Sequence, residues 1–359
     1  MRKFRRIGVL TSGGDAPGMN ACIRAIARRA MDQNIEVVGI RGGYQGLIDD
    51  DLVDLPPRSV SNIITRGGTI LYSERCLAFK TPEGMAKALE TCRKNRIDAV
   101  IAIGGDGTFR GATELANHGI PTIGVPGTID NDITATDYTI GFDTAMNTTI
   151  NMINCLRDTC ESHRRCNVVE VMGRNCGQIA LYTGISSGAV SIAIPELSYD
   201  KEAAIDKINS IKAAGKRGMI VVVSEGIPAT HEGESFGESF TREIIERTGI
   251  DSRFARLGHI VRGGDPSLRD RFTATRMGVR AVEILLDGQS DKVVCEVGGE
   301  IHAFDINFAL VADHMYKNKL EEGELDAFRK ADVVRMKEMC VKRTNEIRYL
   351  YNMAKMICK

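Results

Sequence analysis

The chain has 359 residues, enough for two or three domains with large cores, and its 43% hydrophobic and 26% charged residues are ordinary for a soluble globular protein. Lys+Arg and Asp+Glu balance at 47 each, so no net field draws it to nucleic acid or an anionic membrane, and each arginine has to be weighed singly as a phosphate ligand. Ten cysteines show no CxxC pair or zinc spacing, no run reaches the ~18 apolar residues of a membrane helix, and no secretory segment is visible, so reduced thiols in a cytoplasmic protein are expected.

Along the chain, a strand is predicted at 7–10, a helix at 18–31, a strand at 36–40 and a helix at 82–95. A strand at 98–103, a helix at 108–117, a strand at 121–125 and a long helix at 141–163 follow. Strands at 167–172 and 191–194, a helix at 202–214, and strands at 218–224 and 254–261 complete the alternating part. Continuous apolar strands separated by helices predict an α/β fold of mainly parallel sheets covered on both faces. From Asn318 onward the chain is charged and nearly free of glycine. There Phe328, Val334, Ile347, Leu350, Tyr351 and Ile357 predict an amphipathic helix over 326–359, expected to pack on its own subunit.

Doubly wound sheets bind ligands at the carboxyl ends of their strands, and four loops at such places are rich in Gly, Asp and Thr. They are Thr11–Gly14, Gly104–Thr108, Pro126–Asp132 and Met172–Gly177. The run Gly104-Gly105-Asp106-Gly107-Thr108 follows a strand and opens a helix, where glycines admit phosphate and free N–H groups face it. A carboxylate there would repel phosphate without a cation between them, so Asp106 points to magnesium. The same residues also allow a glycine turn with Asp106 as a helix cap. No Lys-Ser/Thr closes the loop as in a Walker A site. Two carboxylates in Asp130-Asn131-Asp132 suit a base and an orienting group for a hydroxyl attacking phosphorus, although an Asx-rich turn reads alike.

At this point the sequence resembles the 6-phosphofructokinase family, up to about Tyr316. The motifs are TSGGDAPGMNA at 11–21, RGGT at 66–69, GGDGT at 104–108, PGTIDND at 126–132, VVEVMGR at 168–174 and LGHIVRGG at 257–264. GGDGT alone is shared with NAD and lipid kinases, whereas PGTIDND with the later MGR and GHIVRGG is specific. The resemblance implies two Rossmann-like doubly wound α/β domains with the active site in the cleft between them. It implies an ATP-binding domain at 1–140 plus 261–311, a fructose 6-phosphate-binding domain at 141–260 plus 312–330, and a helical extension at 331–359. The reaction implied is phosphoryl transfer from Mg-ATP to the 1-hydroxyl of fructose 6-phosphate, in a homotetramer with shared active sites.

Residue by residue, Gly14, Arg75, Cys76 and Gly105 to Thr108 match ATP-binding positions, and Asp106 the magnesium position. Asp130 matches the catalytic base, and Thr128, Asp132, Arg174 and Arg75 complete the implied catalytic set. Thr128, Asp130, Met172, Gly173, Arg174, Glu225, His259 and Arg262 match positions around fructose 6-phosphate. Arg165 and Arg253 match arginines that reach the sugar phosphate from a neighbouring subunit. Pyrophosphate-using members replace Gly107 by Asp and Gly127 by Lys; with both glycines kept, ATP is the expected donor and pyrophosphate the alternative. A catalytically silent sensor on the same fold would lack Asp106 or Asp130, and both are present. In the bacterial effector pocket, Arg24, Arg28, Arg157 and Lys216 match, but the acidic position is Val190 and one arginine place is Ala214, which predicts weak or absent activation by magnesium-ADP.

Overall fold

The computed structural model describes residues 4–229 and 233–357; residues 358 and 359, the end of the predicted terminal helix, lie outside the described residues. The chain runs β1 (Arg6–Ser12), α1 (Met19–Asp32), β2 (Glu36–Ile40), α2 (Tyr44–Asp49), β3 (Leu52–Asp54), α3 (Pro82–Lys94) and β4 (Ala99–Gly104). Next come α4 (Asp106–Asn117), β5 (Thr122–Pro126), α5 (Phe142–His163), β6 (Cys166–Val171), α6 (Gln178–Ser186), β7 (Ser191–Ala193) and α7 (Lys201–Ala213). Then follow β8 (Met219–Ser224), α8 (Phe236–Thr248), β9 (Ser252–Arg256), α9 (Leu268–Leu286), β10 (Lys292–Val297), β11 (Glu300–Asp305), α10 (Ile306–Tyr316) and α11 (Lys330–Ile357).

The chain divides into two compact units. The first takes residues up to Ile129, Ile133–Asp143 and Arg262–Lys342; the second takes Asp130–Asp132, Thr144–Val261 and residues from Arg343 onward. In the first, the sheet order is β11-β10-β5-β4-β1-β2-β3, with the middle five strands parallel and both edge strands antiparallel. Strand β4, Ala-Val-Ile-Ala-Ile-Gly, is buried at every residue, as a strand covered on both faces must be. Val100 and Ala102 share their core with Phe109 and Leu115 of α4 and with Ala88 and Cys92 of α3. Helix α3 starts cleanly because Thr81 accepts the Gly84 N–H at 3.1 Å and Pro82 presets the first turn.

The strand order reverses at β1: β2 lies on one side and β4 on the other. Such a reversal opens a crevice at the carboxyl ends of the two strands that part. The second unit holds an all-parallel sheet, β7-β8-β6-β9. Val168, Val221 and Val223 there pack with Ile205 and Ile208 of α7 and with Phe236, Phe240 and Ile244 of α8. A capping box formed by Ser235 and Glu238 starts α8, and left-handed Gly249 ends it.

The predicted strands and helices are found to within two residues at each end, except the last strand and the start of the terminal helix, which begins at Lys330 and leaves Phe328 in the bend before it. That strand stops at Arg256, and Gly258 at φ 53° turns the chain into a 3-10 turn, Gly258–Arg262. The terminal helix forms, but Val334 and Ile357 face solvent at 53% and 57% exposure. Its inward positions are Met336, Arg343, Ile347, Tyr351 and Ala354. Among the described residues no helix is long and apolar enough to cross a membrane.

Candidate active site

In the first unit, Ser12 of β1 lies opposite Gly104 of β4, and Gly104 opposite Pro126 of β5, so three loops leave the sheet side by side. Thr108 joins two of them by donating its hydroxyl to the Ser12 carbonyl at 3.0 Å. The Gly127 N–H donates to the Gly104 carbonyl at 3.0 Å and ties in the third. Thr128, buried two residues beyond the end of β5, accepts the Thr139 hydroxyl on its carbonyl at 2.6 Å.

The glycines of these loops fall into two kinds. A Cβ on Gly104 would meet Thr108 Oγ1 at 2.3 Å and the Ser12 carbonyl oxygen at 2.4 Å, so packing alone demands glycine there. On Gly105 or Gly107 a Cβ would meet nothing within 4 Å. Neither needs a left-handed backbone, so nothing among the described residues requires glycine at either place. Both border open space at the N-terminus of α4, where the helix dipole favours phosphate.

Asp106 begins α4, and its carboxylate lies 3.4 Å from the Arg110 guanidinium one turn on. No cluster of three metal-ligating side chains occurs among the described residues. A divalent cation at Asp106 would therefore take one carboxylate and draw its other ligands from phosphate and water. That is the habit of Mg2+, and the open space beside Gly105 and Gly107 fits it.

Arg75 is exposed, and half-buried Cys76 directs its thiol to Gln45 Oε1 at 3.0 Å. The Arg262 guanidinium lies against Gly14, where a Cβ would meet Nη1 at 2.5 Å, and it donates to the Asp15 carbonyl at 3.1 Å. Gly14 thus makes room for an arginine from the far end of the chain.

In the second unit, Asp130 is 6% exposed. Asn131 beside it adopts a left-handed φ of 48°, a conformation Asn tolerates better than most residues, and its side-chain amide donates to Gln178 Oε1 at 2.7 Å. The loop after β6 carries buried Met172, Gly173 at φ 149° and exposed Arg174 at φ 56°. Glu225, at the end of neighbouring β8, accepts the N–H groups of Gly173 at 3.2 Å and Arg174 at 2.8 Å. A Cβ on Gly226 would strike the Arg174 carbonyl oxygen at 2.1 Å, so the two loops are held in close contact.

Exposed His259 sits in the 3-10 turn. Arg165 and Arg253 meet at Asp251, 2.6 and 2.9 Å away. The hydrogen bond from Arg165 is the main cause holding the Asp251 carboxyl below its usual range. Glu196 accepts the Gly177 N–H at 2.8 Å, and burial is the main cause raising its pKa above the ordinary carboxylate value.

The first unit therefore contains Gly14, Arg75, Cys76, Gly105, Asp106, Gly107, Thr108, Thr128 and Arg262. The second contains Asp130, Asp132, Arg165, Met172, Gly173, Arg174, Glu225, Arg253 and His259. Sequence reasoning passes over Gln178, Glu196 and Arg343. Arg343 is 7% exposed and donates to the Asn131 carbonyl. The signal was a charged residue in register with the inward apolar positions of the terminal helix, seven residues after Met336 and four before Ile347. At the positions matching an effector pocket, Arg28 donates to the Pro57 carbonyl at 3.0 Å, Arg157 donates to the Ser187 carbonyl, and Val190 is buried in the apolar core of its unit.

The family model described as Phosphofructokinase matches residues 6–285. The chain is 50% identical over 311 residues to an ATP-dependent 6-phosphofructokinase of Halalkalibacterium halodurans, covering 87% of this chain and 95% of the relative. It is 48% identical over 319 residues to an ATP-dependent 6-phosphofructokinase of Clostridioides difficile, covering 89% of this chain and 98% of the relative. The solved structure of phosphofructokinase from Saccharomyces cerevisiae superposes with a TM-score of 0.81 at 28% identity, covering 95% of this chain and 50% of the yeast chain. The chain thus spans about half the length of that structure's chain.

Proposed function

The chain belongs to the phosphofructokinase family, and from that premise we infer that it is an ATP-dependent 6-phosphofructokinase. It transfers the terminal phosphoryl group of ATP to the 1-hydroxyl of fructose 6-phosphate, giving fructose 1,6-bisphosphate and ADP, a kinase step of glycolysis. The observation that carries the donor reading is the open space over Gly105 and Gly107, where no contact among the described residues calls for glycine.

In the proposed mechanism the N–H groups at the start of α4 bind the phosphates of ATP, and Asp106 holds Mg2+. Bound there, the ion would supply positive charge against the phosphate oxygens. Asp130 takes the proton of the 1-hydroxyl as its oxygen bonds to phosphorus, and ADP leaves with the bridging oxygen. Thr128 and Asp132 orient that hydroxyl. Glu225 accepts hydrogen bonds from the sugar, while Met172, Gly173, Arg174, His259 and Arg262 surround it. Arginine suits the sugar phosphate because its planar fork donates two parallel bonds to one phosphate. Arg165 and Arg253 serve a neighbouring subunit of a homotetramer in the cytoplasm. With Val190 in place of an acid, magnesium-ADP activates weakly or not at all.

An aldolase-coupled assay with fructose 6-phosphate tests this reading directly. Bisphosphate forms with Mg-ATP and not with pyrophosphate at equal concentration; turnover with pyrophosphate alone would refute the donor assignment.

A further inference from the structure

Helix α11 lies beyond the residues that the family model matches, which end at 285. Arg343 faces inward from it, in register with the buried side chains of Met336, Ile347, Tyr351 and Ala354. A guanidinium is seldom buried unless something accepts from it, because its charge is costly to desolvate. One acceptor is the backbone carbonyl of Asn131, the residue between Asp130 and Asp132. Asn131 is also held from α6, through its side-chain amide and Gln178, and it sits at a φ of 48°. The loop bearing both carboxylates is thus fixed at its middle residue from two sides, by side chain and by main chain. The bond to the carbonyl sets the plane of the peptide joining Asn131 to Asp132, and a left-handed residue has little intrinsic preference to keep that plane in place.

We propose that Arg343 is a positioning residue for the phosphoryl transfer. By holding the Asn131 carbonyl it fixes the direction in which the Asp130 carboxylate points, so the terminal helix is part of the machinery that aims the base. This rests on the reading of Asp130 as the base. Arg343 touches neither substrate in this account, so its loss acts on the chemical step and not on substrate affinity. Small misplacements of a reacting group are enough to cost large factors in rate.

The test compares Arg343→Met, which fills similar volume without donating, with Arg343→Lys, which keeps a charged donor. The expected result for Arg343→Met is a kcat lower by about 10–100-fold, with KM for fructose 6-phosphate and for ATP each within about twofold and a cooperative thermal melt. Arg343→Lys should recover to within about fivefold of wild type. If Arg343→Met does not fold, Arg343→Gln, neutral and shorter, carries the same expectation of a kcat lowered by at least about fivefold. Wild-type kcat in a folded Met or Gln variant overturns the proposal, as does a loss fully explained by the unfolded fraction.

Placing Arg343→Met in an Asp130→Asn background separates the proposal from its premise. With the base already removed, the second substitution should cost less than about twofold. A full second loss would show that Arg343 acts elsewhere and overturn the proposal. Asp130→Asn alone retaining wild-type kcat would refute the base assignment whatever the Arg343 variants do.

Discussion

Arg165 and Arg253 share a single carboxylate: Asp251 Oδ2 lies 2.6 Å from Arg165 Nε, and its Oδ1 2.9 Å from Arg253 Nη1. Arg253 stands on β9 opposite Asn167 of β6, and Arg165 immediately precedes β6, so parallel pairing of the two strands brings the arginines together. Such a pair at a surface contributes little to stability, and its worth is better sought in binding. If the pair serves a neighbour's site, subunits carrying Asp130→Asn and subunits carrying Arg165→Ala complement one another. A one-to-one mixed oligomer then regains roughly a quarter of wild-type activity, the statistical share of sites built from two intact halves. No recovery in oligomers verified as mixed would show that each subunit completes its own site.

Gly107 separates the demands of the fold from those of the ligand. It lies in the first turn of α4 with open space around it, so Gly107→Ala should raise stability by up to about 1 kcal/mol, read from the thermal melt. The same substitution should lower kcat/KM for ATP, and Gly107→Asp should lower it severely because a carboxylate then faces phosphate oxygens. Unchanged ATP kinetics in Gly107→Asp would remove this residue from the nucleotide site.

Asp106→Asn removes the charge proposed to hold the cation while keeping a similar shape. The Mg2+ concentration giving half-maximal rate should rise by about tenfold or more, with the protein still folded. An unchanged magnesium titration would mean that the ion is held by phosphates alone, and that Asp106 serves the helix and Arg110 instead.

Glu196 gives a pH dependence with a definite sign. Burial raises its pKa, so the folded state keeps a proton that the unfolded state releases earlier. Stability from this group is therefore complete below the ordinary carboxylate value and is lost as pH climbs through the raised folded value. Glu196→Gln still offers an oxygen to the Gly177 N–H and does not titrate. It should melt higher than wild type at pH 7, with the gap closing toward about pH 4. A gap equally wide at both pH values would show that the difference is not one of protonation.

The loops were legible wherever an apolar strand ran directly into glycine and a carboxylate, because each local preference there agrees with the fold. Ile103 through Thr108 shows this, with a buried strand ending where a helix begins. The β10–β11 hairpin escaped prediction although Gly298 and Gly299, both at positive φ, mark its turn. Its signal is two residues long, and an apolar run such as Val293–Cys295 does not by itself declare a strand. The end of β9 was misplaced because Gly258 turns a sequence that stays apolar through Ile260 and Val261. Arg343 was overlooked for another reason: a lone arginine on a charged helix reads as solvated, and its register with Met336 and Ile347 is a weak signal beside the burial against the Asn131 carbonyl that packing shows.

Initial rates of Asp130→Asn with both substrates saturating test whether Asp130 takes the proton of the attacking hydroxyl. The expected kcat is lower by about 10²–10⁴-fold, with KM for ATP nearly unchanged. A folded Asp130→Asn enzyme that keeps more than about a tenth of wild-type kcat would contradict it.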